Sequence, residues 1–142
     1  MTRKIHFSKR SIIIAGAMIF LVAFLGYWFA PQKIISNPDL VVVAHVYYLD
    51  YEHEVKVEPH ELATILSKYY CQRRVEIIGP FETKRVSYYI DLIYLNHGPI
   101  HIYLGDLNFM SRGNRYVDYN ILEASKLQAE IEALIQRSSV SP

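Results

Sequence analysis

Three hydrophobic patterns follow one another along the chain. The first is unbroken: Ile12 to Ala30, "IIIAGAMIFLVAFLGYWFA", runs nineteen residues without a charge or a proline. At about 1.5 Å per residue a helix of this length spans roughly 28 Å, close to the hydrocarbon thickness of a bilayer. Ten of these residues are Leu, Ile, Val or Phe, each favouring insertion by roughly 0.3–0.6 kcal/mol. Tyr27 and Trp28 sit at the far end, where aromatic rings suit a membrane–water boundary, and Pro31 stops the helix. A cleaved signal peptide has a shorter apolar core of about 7–15 residues, and a cut after Ala30 would place Trp28 where a small side chain is needed. The pattern therefore predicts an uncleaved transmembrane helix over 12–30, preceded by a head at 1–11.

The second pattern alternates and the third recurs every three to four residues. After a polar spacer, "PQKIISNPD" at 31–39, the run "LVVVAHVYYLD" predicts a strand and "VKV" at Val55–Val57 a short return strand. Pro59 opens a helix whose face carries Leu62, Ile65, Leu66, Tyr69 and Tyr70 at i, i+3, i+4, i+7 and i+8. "RRVEII" is another strand with Val75 and Ile77 inward, broken by Gly79-Pro80. Val86, Tyr88, Ile90, Leu92 and Tyr94 share one face of the next strand, and Ile100, Ile102 and Leu104 one face of the strand after it. "LNFM" and "RYVDY" follow, joined by a turn at Gly113. Asn120, with Glu123 three positions on, reads as a capping box for a last helix. Its apolar stripe is Ala124, Leu127, Ile131, Leu134 and Ile135, and 138–142 reads as a frayed tail.

Register decides which residues meet across the long hairpin. A three-residue loop at Asn96-His97-Gly98, with glycine last in the left-handed region, pairs Leu95 with Pro99. It sets Tyr94, Leu92 and Ile90 against Ile100, Ile102 and Leu104, and Asp91 against Tyr103. The predicted order β-β-α-β-β-β-β-β-α, with tight turns between strands, gives an α+β domain at 40–137. It has two layers, an antiparallel sheet packed on two helices.

Charge orients this arrangement. Arg3, Lys4, Lys9 and Arg10 precede residue 11 with no acid among them, and all fourteen acids follow Pro38. From Ile34 onward ten Lys/Arg face fourteen Asp/Glu, a formal −4. The positive-inside rule puts the N-terminus in the cytoplasm and the domain outside the cell membrane. The single cysteine, Cys71, has no partner for an intramolecular disulfide and reads as a small core residue at a helix end. It also lies too far from the apolar run to serve as a lipidation site.

Little else in the chain carries chemistry. It has no Gly-x-Ser-x-Gly, phosphate loop or HExxH motif. His97 and His101 lie around a turn rather than on one helix face, and nothing supplies further converging ligands, so no metal and no cofactor are expected. Asp91 and Asp106 have the chemistry of a carboxylate pair, but nothing in the sequence places them together. The basic doublets Arg73-Arg74 and Lys84-Arg85 read as a charged sheet edge, not as a nucleic-acid surface. Tyrosine is the unusual count: eleven of twelve follow the apolar span. Tyr69, Tyr88 and Tyr94 fall on core faces. Tyr89, Asp91, His101 and Tyr103 fall on the other sheet face and form the candidate binding patch.

The strand pair leading into "VEPHELATIL", the hairpin "IDLIYLNHGPIHIYL" and "GNRYVDY" before the last helix resemble small extracytoplasmic domains of unknown function. Bacteria carry such domains on lipoproteins and single-pass anchors. The resemblance covers about residues 41–135, and it implies topology and location, with no catalytic residues to transfer. The expectation is a membrane-anchored binding module for an envelope protein or peptide, and not an enzyme. An envelope-facing hydrolase and an accessory subunit docking through its span are the alternatives.

Overall fold

A computed structural model of the chain describes residues 9–48, 53–74, 86–95, 97–113 and 118–140. The chain divides into two compact units at Ala30. The first holds helix α1 (Lys9–Trp28), long and apolar enough to cross a membrane. None of its residues is buried, and Phe20, Phe24 and Trp28 stack along one side at 6.5 and 5.5 Å between centroids.

The second unit is α+β. Its strands are β1 (Gln32–Lys33), β2 (Val41–Tyr48), β3 (His53–Val55), β4 (Tyr70–Arg73), β5 (Val86–Tyr94), β6 (Gly98–Gly105), β7 (Phe109–Arg112) and β8 (Asp118–Ile121). They form one antiparallel sheet in the order β1-β4-β8-β7-β6-β5-β2-β3. Helix α2 (Pro59–Leu66) follows β3, and α3 (Ala124–Val140) ends the chain. Leu62, Ala63, Ile65 and Leu66 of α2 and Leu127, Ile131 and Leu134 of α3 share one core with Val46, Ile90, Leu92, Ile102 and Leu104 of the sheet. Each such aliphatic side chain contributes about 1.5–3 kcal/mol when fully buried. Among the described residues no polar or charged residue is fully buried. Between the helices, Glu130 accepts from Tyr69 Oη and Lys68 Nζ, both at 2.8 Å, and Arg137 lies 3.2 Å from Glu61.

The helical and alternating patterns survive, but several boundaries move. Pro59 begins α2 as expected, with the Glu58 carboxylate accepting the Glu61 N–H at 2.6 Å. The helix then ends at Leu66, because Lys68 and Tyr69 donate to Ile65 and Leu66, tightening its last turn. Tyr70 is therefore a strand residue, 44% exposed, and not part of the buried helix face. The return strand is His53–Val55 rather than Val55–Val57. Asn120 does not cap α3: it pairs with Gln72 and Phe109 in the ladder. The chain turns through Glu123 at φ +54 before the helix begins. Two flanking strands outcompete one side-chain cap here. Ala124 and Ile135 pack against the core beside the three buried α3 residues, as their stripe predicts. The helix continues through Ser138 to Val140 instead of fraying. Val75, Ile77, Gly79-Pro80 and Lys84-Arg85 lie outside the described residues.

The stretch read as a spacer belongs to the domain. Gln32 and Lys33 pair with Cys71 and Tyr70, Ile34 and Ile35 are buried, and Pro38–Leu40 forms a 3-10 turn capped by the Asn37 side chain. Cys71 is buried in the core, on β4 rather than at a helix end, and burial pushes its thiol pKa up.

Candidate binding face

The hairpin register differs from expectation by two residues. Tyr94 pairs with Gly98, Leu92 with Ile100, Ile90 with Ile102 and Tyr88 with Leu104. The loop keeps three residues but moves back by one position: the His97 N–H donates to the Tyr94 carbonyl at 3.1 Å, and Gly98, at φ +78, already belongs to the returning strand. A two-residue slip preserves the faces, so the residues expected on each side remain there. The partners change. Asp91 faces His101 directly, not Tyr103, and Tyr89 faces Tyr103.

This register draws the four candidate residues together. The Tyr89 hydroxyl lies 2.8 Å from His101 Nδ1, and its ring stacks on the imidazole at 6.1 Å and 8°. Asp91 Oδ1 is 3.1 Å from the same nitrogen. That approach is off the hydrogen-bond line, so the solvent-inaccessible oxygen retains acceptor capacity. The Tyr89 and Tyr103 rings are 5.0 Å apart.

The patch also extends further than sequence reasoning placed it. One cross-strand row runs Glu54, Tyr47, Tyr89, Tyr103 and Phe109. Its rings approach at 5.8, 5.0 and 4.4 Å from Tyr47 to Phe109. The neighbouring row runs His45, Asp91, His101, Ser111 and Asp118. His45 Nδ1 lies 2.7 Å from Glu54 Oε1. Burial pushes the Asp118 carboxyl above its usual range, partly offset by Arg74. His45 and Tyr47 alternate with Ala44 and Val46, which was the available signal, but only the distant β2–β5 pairing puts them beside Tyr89.

This face combines aromatic contact area with imidazole and carboxylate groups. Asp91, His101 and Ser111 stand on adjacent strands in the sense of an acyl-transfer triad. Yet among the described residues Ser111 Oγ makes no hydrogen bond to the imidazole. Ser111 sits in β7, paired with His101 of β6 and Asp118 of β8. Asp106 lies beyond the end of β6, five residues past His101, the Asp91 partner, so the register does not set the two acids against each other. His97 stacks on Tyr94 at 4.6 Å, away from His101, and among the described residues no three His, Cys, Asp or Glu converge as a metal site. The chain matches no known protein family, no curated protein and no solved structure.

Proposed function

We propose that the protein is a single-pass membrane protein whose C-terminal domain lies outside the cell membrane and binds an envelope protein or peptide. The observation that carries this reading is the aromatic and polar double row across β2, β5, β6 and β7, on the face away from both helices. Its members other than buried Phe109 are half-buried across these strands: the His101 and Asp91 side chains are 27% and 34% exposed. Tyrosine supplies broad contact area at low entropic cost, and imidazole and carboxylate supply adaptable hydrogen bonds. The basic residues before Ser11 and the acidic excess after Pro38 support the orientation.

A photo-crosslinking residue at position 103 of the full chain, expressed in its own membrane, should capture a discrete partner. The same residue at exposed Ala129 on α3 should not, and Tyr89→Ser should abolish the capture. Equal capture at both positions defeats the reading, as does labelling of Ser111 by a serine-hydrolase probe. External protease on spheroplasts should remove the domain; full protection overturns the orientation. A second reading, an accessory subunit docked through its span, draws on the Phe20-Phe24-Trp28 stack along α1. In that case capture would occur from the span and not from position 103.

A further inference from the structure

A cavity of about 260 Å3 opens at the end of the helix-side face, between residues 32–36 and the turn of the β5–β6 hairpin. Its polar lining is Gln32, Lys33, Ser36, Tyr94, His97 and Arg112, and among the described residues no carboxylate lines it. This is a local reversal of sign in a domain whose acids outnumber its bases.

Arg112 is one of the two permanent cations in this lining. It stands on β7 beside Ile100, half-buried. One terminal nitrogen, Nη2, donates to the carbonyls of Lys33 at 2.7 Å and Ile34 at 3.2 Å, and lies 3.9 Å from Cys71 Sγ. Its guanidinium carbon lies 5.4 Å from the Tyr119 ring centroid. Its Nε is sealed from solvent and has no hydrogen-bond partner. Among the described residues its hydrogen-bond partners are thus neutral groups. A guanidinium taken out of water is ordinarily matched by an anion, because neutral acceptors compensate its desolvation poorly.

The surrounding groups are held in place. Tyr94 Oη lies 3.0 Å from Ser36 Oγ and accepts the Asn37 N–H at 3.3 Å, which fixes one wall. The His97 ring lies on the Tyr94 ring, which places an imidazole at the rim. Lys33 is tied through its backbone carbonyl to Arg112, which leaves its exposed ammonium unconstrained.

We propose that this cavity is a binding site for a phosphate group, held by Arg112 and Lys33 with His97 as a further donor. A guanidinium fork matches both carboxylate and phosphate. Two permanent cations and an imidazole around one small cavity fit the higher charge and greater oxygen count of phosphate, about −1.5 to −2 for a monoester. The volume falls below the ~300–1,000 Å3 of drug-sized sites, so it accommodates a phosphate and a small substituent. The phosphate could come from a soluble compound or from a lipid headgroup.

The test uses the full chain in uncharged maltoside micelles, melted with inorganic phosphate, acetate or chloride at matched ionic strength. Phosphate alone should raise Tm in a saturable way, as ligand binding to the native state requires. The double variant Lys33→Gln/His97→Gln should melt like the parent without phosphate and bind it at least fivefold more weakly. Arg112→Lys should lose more than tenfold, and if that variant fails to fold, the double variant decides. Phosphatidylglycerol added to the micelles should weaken inorganic phosphate binding if the natural source is a lipid and leave it unchanged if the source is soluble. A non-saturable response, an equal response to acetate, or parental affinity in the double variant overturns the proposal.

Discussion

On the helix side of the sheet, Val46, Ile90, Leu92, Ile102 and Leu104 are sealed under α2 and α3, each at 0–2% exposure. One residue along the same strands, Tyr47, Tyr89, Asp91, His101 and Tyr103 keep partial contact with solvent. The first face is held by apolar area and close packing, where even one methylene matters. The second is held by ring stacking and by hydrogen bonds whose partners can be exchanged for a ligand. The same backbone thus carries a stability face and a recognition face, separated only by the period of two.

The sharpest break in that comparison is a cavity on the sealed side. Ile102→Ala removes three carbons beneath both helices and should cost about 3 kcal/mol, within the usual range of about 2–5 for such truncations. The shift of the denaturant midpoint of the full chain measures it. A cost below about 1 kcal/mol would mean that the core collapses around the gap and that the two faces are not energetically distinct.

Alkaline pH should also single out the helix side. Tyr69 and Tyr88 both have pKa values pushed up to about 12, first by burial and then by Glu130 and Glu132 respectively. A raised folded-state pKa favours the protonated phenol in the native state. The contribution is therefore fully present below about pH 10, the unfolded value, and is lost as pH rises toward about 12. Circular dichroism along a base titration should show unfolding in that window. Phe at both positions removes the ionisation and should move the midpoint upward. An unchanged midpoint would assign alkaline unfolding to other groups.

How much of this could be read beforehand follows from the range of the interactions involved. The period of two in β5 and β6 and the stripe of α3 are local, and they placed the core residues and the four candidate residues on the correct faces. Where the three-residue turn falls along the hairpin depends on backbone geometry at His97 and Gly98, and composition could not separate two registers of the same parity. Asn120 shows a different limit. Its capping pattern is real, but the strands on either side, β4 and β7, lie far away in sequence, and their ladder bonds claimed the residue. Pairing of β2 with β5 spans more than forty residues, so the addition of His45 and Tyr47 to the patch had no local signature. The same holds for Arg112, whose carbonyl partners lie 78 and 79 positions away.

On the recognition face, truncating a ring should cost less than the core cavity but more than an ordinary surface change. Tyr103 lies between Tyr89 at 5.0 Å and the buried ring of Phe109 at 4.4 Å and 11°. Tyr103→Ser should destabilise by about 1–2 kcal/mol, the sum of a stacking contribution of about 0.5–1.5 and partial loss of apolar burial. A loss matching that of Ile102→Ala would make this ring part of the core and remove it from the binding surface.

The smallest expected effect is the most specific. Tyr89→Phe keeps the ring and its stacking on Tyr47, Tyr103 and His101 and deletes only the hydroxyl 2.8 Å from His101 Nδ1. One hydrogen bond of this kind is worth about 0.5–1.5 kcal/mol net, and partial exposure puts the stability cost at the lower end, about 0.5 kcal/mol. The imidazole would then be held by Asp91 alone, at 3.1 Å and off the hydrogen-bond line. Its ring orientation loosens while the surface keeps its shape. Partner capture should therefore weaken several-fold with little change in melting, and a nitrogen-15 spectrum of the imidazole should change tautomer balance. Asp91→Asn should couple to Tyr89→Phe in a double-mutant cycle, because both contact the same nitrogen. Strictly additive effects would mean that the two contacts act separately and that His101 is not the shared centre of the face.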